Sequence, residues 1–146
     1  MFKNMYRGIS EENNELVFGY YCFNPYFKRA EIFSFKNERS YVYKVDPDTV
    51  GCFTGGYDST NWDSLSPSDK CFWSKFGYTE KNWKGIPIFV GDLVKEGCNG
   101  FVREVVWDNE EFTFKLKGLG VGYCIQNAAT DWTVLGLASE NPHLIK

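Results

Sequence analysis

Apolar and polar positions alternate with a period near two in the first third of the chain, which is typical of half-buried β-strands. Residues 6–10 and 16–23 carry this pattern on either side of a polar run and predict a β-hairpin. Residues 32–35 and 41–45 flank a polar turn at 36–39 and predict a second hairpin. The N-terminal part is therefore expected to consist of β-hairpins.

Two glycines interrupt apolar segments at places where the backbone needs special geometry. Gly19 lies inside the predicted strand 16–23, so we expect a bulge or a close approach of another backbone there. In the stretch 83–94, Gly91 and Asp92 separate two short apolar runs, which predicts a tight corner with a positive φ at Gly91. The carboxylate of Asp92 is expected to accept backbone N–H groups at this corner.

Further strand patterns follow in the middle and the C-terminal part of the chain. Residues 50–54 form a short apolar run, and residues 101–107, 112–117 and 132–137 each have the length and composition of a strand. Within 112–117 the alternation of apolar with polar residues is regular. The whole pattern predicts a mainly β fold.

Residues 57–85 differ from their surroundings because they combine helix signals with a high density of aromatic side chains. Ser66 and Pro67 are typical of the N-cap and the first residue of a helix. A second helix start occurs at Thr79, with Gly85 as its stop. We therefore predict a short, aromatic-rich helical insert that contains two helical pieces.

Trp73, Tyr78 and Trp83 in this insert are the candidate interface residues. Trp and Tyr are frequent hot-spot residues, so an exposed patch of the three would bind a protein partner or a second copy of the chain. In the alternative, the insert folds against the strands and completes the core. The sequence leaves both arrangements open.

Composition agrees with a single β-rich domain over residues 1–146, because 146 residues is a usual length for one domain. Aromatic residues make up 18% of the chain and favour strands. The net charge of -3 argues against a surface that grips phosphate backbones throughout. The sequence shows neither an apolar run long enough to span a membrane nor a signal-peptide pattern, so we expect a cytoplasmic protein without a membrane partner.

The cysteines do not form the close pairs that are typical of zinc sites or disulfide frameworks. They are Cys22, Cys52, Cys71, Cys98 and Cys124, separated by 19 to 30 residues. We expect reduced, mostly packed thiols in a reducing compartment. No cofactor is predicted, since nucleotide-binding glycine motifs are also missing from the sequence.

Residues for catalysis are sparse in this sequence. His143 is the only histidine, so the common serine and cysteine nucleophile systems would all depend on it. The carboxylate pairs Asp46 with Asp48 and Glu110 with Glu111 lie in predicted turns, where acidic residues cap and solvate the backbone. We predict no catalytic or metal-binding residue and no enzyme activity, although an unrecognised carboxylate site stays open.

A basic and aromatic cluster in the second hairpin provides an alternative hypothesis. Its members are Lys28, Arg29, Lys36, Arg39, Tyr26, Phe27 and Tyr41. Small β-barrels can stack nucleic-acid bases on aromatic side chains beside cations. Acidic residues interleave with the cations here, so an ordinary solvated hairpin is the favoured interpretation and nucleic-acid binding is the second hypothesis.

Several blocks of sequence resemble the YopX family of phage and prophage proteins. They lie at residues 6–8, 16–20, 45–55, 85–94 and 134–144 and follow one another in the order found in that family. The block Gly85-Ile86-Pro87-Ile88-Phe89-Val90-Gly91-Asp92-Leu93-Val94 is similar to the family pattern G-x-x-I-[YF]-x-G-D-[IL]-V. Residues 57–85 depart from it, since many relatives have only a brief turn there, and His143 replaces an acidic residue.

The resemblance implies a mostly β fold with an SH3-like barrel in the C-terminal part and an origin in a phage or a prophage. It implies no activity and supplies no site residues. With the sparse chemistry, it suggests an accessory protein that acts by binding a protein partner or by self-association. The alternative is a nucleic-acid-binding small β-barrel protein of a phage replication or regulation module.

Overall fold

The computed structural model describes residues 5–36, 38–97, 100–118 and 132–144. Within these residues the chain is mainly β, as predicted, with ten strands and one α-helix. The elements are β1 (Tyr6–Ile9), β2 (Leu16–Asn24), β3 (Arg29–Lys36), β4 (Arg39–Lys44), β5 (Gly51–Tyr57), α1 (Pro67–Ser74), β6 (Pro87–Phe89), β7 (Asp92–Glu96), β8 (Val102–Asp108), β9 (Thr113–Leu116) and β10 (Trp132–Leu137). No described helix is long and apolar enough to cross a membrane.

The N-terminal strands form a six-stranded antiparallel sheet in the order β4-β3-β2-β1-β5-β6. Both predicted hairpins are confirmed within it. In the first, Ile9 lies opposite Leu16, and in the second, Lys36 lies opposite Arg39. The turn residues that separate the apolar runs in the sequence therefore set the register of both hairpins.

Gly19 marks the point where β2 changes its neighbour. Residues 16–19 pair with β1, and residues 20–24 pair with β3. A Cβ atom on Gly19 would lie 2.0 Å from the carbonyl oxygen of Phe33, so no larger residue fits without moving β3. The close backbone approach that the sequence predicted is confirmed. Beyond Gly19, β2, β3 and β4 form a three-stranded extension of the sheet.

The C-terminal strands form a four-stranded antiparallel sheet in the order β10-β7-β8-β9. Val105, Leu116 and Trp132 from three of its strands are buried on one side of this sheet. The strands that the structure describes form two open sheets and no closed barrel. The SH3-like barrel therefore stays a prediction.

The corner at Gly91 and Asp92 joins the two sheets. β6 ends at Phe89 in the six-stranded sheet, and β7 begins at Asp92 in the four-stranded sheet. Gly91 has a φ of 91°, a left-handed conformation that glycine adopts without strain. The predicted positive φ is confirmed, and the corner sets how the chain passes from one sheet to the other.

The helix α1 begins as the sequence predicts. The Ser66 hydroxyl accepts the backbone N–H of Asp69 at 3.1 Å, and Pro67 is the first helical residue. The helix ends at Ser74, and Gly77 closes the following turn with a φ of 88°.

The second predicted helical piece is wrong. The backbone N–H of Thr79 donates to Oδ1 of Asn82 at 2.7 Å, and Nδ2 of Asn82 donates to the carbonyl of Gly77 at 3.1 Å. These side-chain bonds compete with helical backbone bonds and hold the segment as a turn. The insert therefore contains one α-helix among its described residues.

The aromatic insert covers one end of the six-stranded sheet and completes a hydrophobic core there. The buried members of this core are Phe18, Leu65, Trp73, Tyr78 and Phe89. Phe18 lies at the centre, with ring centroids 5.6 Å from Trp73 and 5.4 Å from Phe89. The insert is therefore part of the fold rather than an appendage.

Candidate functional site

The three-stranded extension of the sheet exposes an apolar surface. Cross-strand pairing places Tyr20 opposite Phe33 and Phe33 opposite Val42, so the three side chains form one row. Phe35 lies two residues after Phe33 on β3 and therefore faces the same side. Tyr20, Phe33, Phe35 and Val42 are 61%, 45%, 66% and 55% exposed. We call these four residues the apolar sheet face.

The apolar sheet face is comparable in size to the largest apolar patch on a typical monomeric protein. A fully exposed aromatic side chain presents about 200 Å², so the three aromatic members together expose about 350 Å². The largest apolar patch on a monomeric protein is about 300–600 Å² and is often functional. Here the area comes from adjacent side chains on rigid strands rather than from scattered residues.

The charges beside the apolar sheet face are already paired. Strand alternation places Arg29 and Lys44 on the same side of the sheet as Phe33 and Val42. Nη2 of Arg29 lies 3.1 Å from a carboxylate oxygen of Glu31, and Nζ of Lys44 lies 3.1 Å from one of Glu11. The face therefore carries no net charge from these groups.

The predicted basic and aromatic cluster is divided between the two sides of the sheet. On the side opposite the apolar sheet face, Nζ of Lys36 lies 5.2 Å from the ring centroid of Tyr41 and 5.3 Å from that of Tyr43. Arg39 faces this side too, since it pairs with Lys36. On the other side, the Arg29 guanidinium lies 5.9 Å from the ring of Phe27. The cations therefore do not form one continuous strip.

The candidate interface residues of the insert meet inside the protein. Trp73 is 7% exposed and Tyr78 is 3% exposed, so neither residue presents an exposed face to a protein partner. Trp83 is half-buried, and its Nε1 donates to the carbonyl of Thr60 at 2.8 Å. Its ring lies 5.8 Å from that of Trp73 and 5.4 Å from that of Tyr78. The three residues form a packed cluster rather than an exposed patch.

Arg7 on β1 and Asp92 on β7 form a buried ion pair between the sheets. Oδ2 of Asp92 also accepts the N–H of Phe89 at 2.8 Å, which confirms the predicted backbone bond at the corner. Nη2 of Arg7 donates to the carbonyl of Val90 at 2.8 Å. Burial raises the pKa of the Asp92 carboxyl, although the Arg7 charge and the Phe89 N–H act to lower it. These contacts give the pair a structural role.

The carboxylate pairs Asp46 with Asp48 and Glu110 with Glu111 both lie in turns that an aspartate caps. Oδ1 of Asp46 accepts the N–H of Asp48 at 3.0 Å, at the start of a one-turn 3-10 helix. In the second turn, Asp108 rather than either glutamate is the acceptor, and it binds the N–H groups of Glu110 and Glu111. Both arrangements satisfy backbone donors and need no catalytic explanation.

Metal binding has no structural support within the described residues. They contain no group of three His, Cys, Asp or Glu side chains that could hold a metal ion. His143 lies in a one-turn 3-10 helix, Pro142–Leu144, near the end of the chain.

The cysteines differ from the prediction. Cys22, Cys52 and Cys71 are free thiols, but Cys22 and Cys71 are exposed. The prediction of mostly packed thiols is wrong for these two, because they occupy solvent-facing positions on β2 and α1. Burial raises the pKa of the half-buried Cys52 thiol. Cys98 and Cys124 lie outside the described residues.

Comparisons of the chain with protein-family models, with curated proteins and with solved structures gave no match. Membership of the YopX family therefore stays a prediction.

The alternation in β3 is the sequence signal for the apolar sheet face. Phe33 and Phe35 alternate with Ser34 and Lys36, which places both phenylalanines on one side of β3. Alternation alone does not say which side of a strand is covered, and here a polar side chain, Ser34, faces inwards while the phenylalanines face water.

Proposed function

We propose that this protein acts by binding protein through the apolar sheet face, and that a second copy of the chain occupies this face. The observation that carries the proposal is the exposed row of Tyr20, Phe33 and Val42 with Phe35 beside it. Apolar side chains that are removed from water on association supply most of the driving force in protein interfaces.

A second copy is favoured by the electrostatics of the face. Because Arg29 and Lys44 are neutralised within the chain, the face does not require a partner of opposite charge. An uncharged apolar patch is complementary to itself, which is the condition for a two-fold interface between identical chains. Among the described strands β4 pairs only with β3, so the face ends at an edge that can also contribute to the contact.

From the resemblance to the YopX family, we propose that this protein is an accessory protein of a phage or prophage that acts by binding rather than by catalysis. The same resemblance supports a C-terminal part that belongs to the SH3-like barrels, and we expect the protein to be cytoplasmic. The genes that flank this one would test that setting, because phage genes are grouped by role.

Light scattering coupled to size-exclusion chromatography tests self-association over micromolar to sub-millimolar concentrations. We expect a dimer whose population rises with concentration and is reduced by Phe35→Lys, which places a charge on the face at an exposed position. The matched control is Phe112→Lys, which changes an aromatic residue that is 78% exposed in the β8–β9 turn. A monomer at every concentration, or equal effects of the two variants, would contradict the proposal.

Nucleic-acid binding is the second candidate function. The observation in its favour is the position of Lys36 over the rings of Tyr41 and Tyr43, since aromatic rings beside a cation can stack bases. A mobility shift of single-stranded nucleic acid that weakens steeply with salt, and is lost in Tyr41→Ala, would support this function. No shift at low salt would remove it.

A further inference from the structure

Two adjoining pockets form a groove between the β1–β2 loop and the segment that follows β10. An apolar pocket has a volume of about 300 Å³, and an acidic pocket beside it has a volume of about 460 Å³. They share Ile9, Asn14 and Glu140 as lining residues and therefore adjoin each other. None of the four residues of the apolar sheet face lines this groove, so it is a separate site.

The apolar pocket lies between the two sheets and the insert. Phe18 and Phe89 of the six-stranded sheet, Trp73 of α1 and Leu137 of β10 line its walls. Arg7 also lines the pocket, but its charge is compensated by Asp92. The pocket therefore offers aromatic and aliphatic contacts and no uncompensated positive charge, which suits an uncharged apolar group.

The acidic pocket carries an excess of negative charge. Four carboxylates line it, from Glu11, Asp46, Asp48 and Glu140, and no Lys or Arg of the described residues does so. Glu11 is paired with Lys44, whereas the other three carboxylates make no ion pair with a described residue. A cation in this pocket would gain attraction from several carboxylates at once.

Ser10 provides an independent indication that a ligand enters the acidic pocket. Ser10 is 0% exposed and lines the pocket, and its Oγ has no hydrogen-bond partner among the described residues. A buried hydroxyl without a partner is unfavourable, whereas a ligand N–H group would satisfy its oxygen. The Ser10 hydroxyl can accept from a ligand N–H group, and the excess carboxylates favour a nitrogen donor that carries a positive charge.

We propose that this groove binds a small organic cation, with an apolar group in the apolar pocket and an ammonium or guanidinium group in the acidic pocket. Their volumes are in the lower part of the range of about 300–1,000 Å³ that is usual for small-molecule sites. A metal ion is disfavoured, because no three described carboxylates converge closely enough to coordinate one. An anion would face Asp46, Asp48 and Glu140 without a free cation to bind.

Titration with 2-phenylethylamine, followed by backbone amide NMR shifts, tests the proposal. We expect saturable shifts at Ile9, Ser10 and Glu140. The uncharged analogue 2-phenylethanol should bind on the order of tenfold more weakly, and 3-phenylpropanoate should not bind, because only the amine satisfies the acidic pocket.

Glu140→Gln should weaken binding of the amine on the order of tenfold and leave binding of the alcohol unchanged. Glu140 is exposed, so the variant is expected to fold. The control is Glu111→Gln, an exposed carboxylate in the β8–β9 turn that does not line the groove.

Three outcomes would overturn the proposal. The first is equal affinity for the amine and the alcohol, and the second is an equal response of the two variants. The third is binding of a basic dipeptide such as N-acetyl-Phe-Lys-amide without binding of the free amine, which would assign the groove to a protein segment instead of a small molecule.

Discussion

Arg7 and Asp92 connect the two sheets at one buried point. Arg7 lies on β1 of the six-stranded sheet, and Asp92 begins β7 of the four-stranded sheet 85 residues later. Their side chains are only 3% and 4% exposed. Because an unpaired charge is unfavourable in such surroundings, the pair fixes how β1 and the corner at Gly91 meet.

Replacing Arg7 should destabilise the protein strongly. Arg7→Met keeps much of the side-chain length but leaves the Asp92 carboxylate buried without its counter-charge, which costs about 3–5 kcal/mol. The free energy of unfolding in urea measures the loss. The control is Lys117→Met, because the Lys117 side chain is 73% exposed and its Nζ lies 4.0 Å from Oε2 of Glu104. Such surface ion pairs contribute about 0–1 kcal/mol to stability.

A second substitution and a change of pH identify the cause of that loss. Arg7→Met combined with Asp92→Asn should be more stable than Arg7→Met alone, because Asn is uncharged and its oxygen can still accept the Phe89 N–H. In Arg7→Met the pKa of Asp92 loses the charge that lowers it and rises further above its unfolded value. A carboxyl with a raised pKa favours folding when protonated, so the deficit should shrink as the pH falls. A deficit that does not change with pH would contradict the role of Asp92.

Asp58 should also contribute strongly to stability, because its carboxylate joins three parts of the chain. It accepts the N–H groups of Thr60 and Ile86 at 2.9 and 2.8 Å, and that of Val134 on β10 at 3.0 Å. Asp58→Ala leaves these donors unsatisfied, and we expect a loss of at least about 2 kcal/mol in urea unfolding. Asp63→Ala, at an exposed position of the same insert, should change stability by less than about 0.5 kcal/mol.

The sequence was sufficient for the local features of this fold. The Ser66 cap, the Gly91 corner and the two N-terminal hairpins each depend on residues a few positions apart, so periodicity and turn chemistry predicted them. The second helix failed for an equally local reason. The Asn82 side chain supplies hydrogen bonds that compete with a helix, and residue preferences alone do not show which set of bonds wins.

The candidate sites could not be predicted in the same way, because they depend on contacts between distant segments. Asp58 is one example, since its bond to Val134 spans 76 positions. Likewise, alternation in β3 places Phe33 and Phe35 on one side of the strand. This side of the extension is exposed because the insert packs against the other end of the sheet, which alternation does not show. Long-range packing of this kind leaves no periodic signal in the sequence.

Gly19→Ala should disturb both stability and association. Its Cβ would lie 2.0 Å from the Phe33 carbonyl oxygen, which forces β2 and β3 apart just before the pairing of Tyr20 with Phe33 begins. We expect a loss of about 1–3 kcal/mol or more in urea unfolding. The dimer population in light scattering should fall as well, since the apolar sheet face depends on that pairing. Stability within about 0.5 kcal/mol of the original protein would contradict the close approach.

Asp108 should stabilise the protein at neutral pH and not in strong acid. Its carboxylate binds Nζ of Lys115 at 2.5 Å across the β8–β9 hairpin, and it also accepts the N–H groups of Glu111 and Glu110. These bonds lower the pKa of Asp108 to about 2, and the bond from Lys115 has the largest effect. Because this pKa is lower in the folded than in the unfolded protein, the carboxylate stabilises the fold at pH values above its unfolded pKa. The stabilisation is lost as the pH falls through the folded pKa.

Asp108→Asn should therefore be less stable than the original protein at pH 7, and the two should converge between about pH 4 and pH 2. Urea midpoints measured across that interval give the comparison, with Asp63→Asn as the same substitution at an exposed site. A difference of equal size at both ends of the interval would mean that the effect of Asp108→Asn does not come from the charge of the carboxylate beside Lys115.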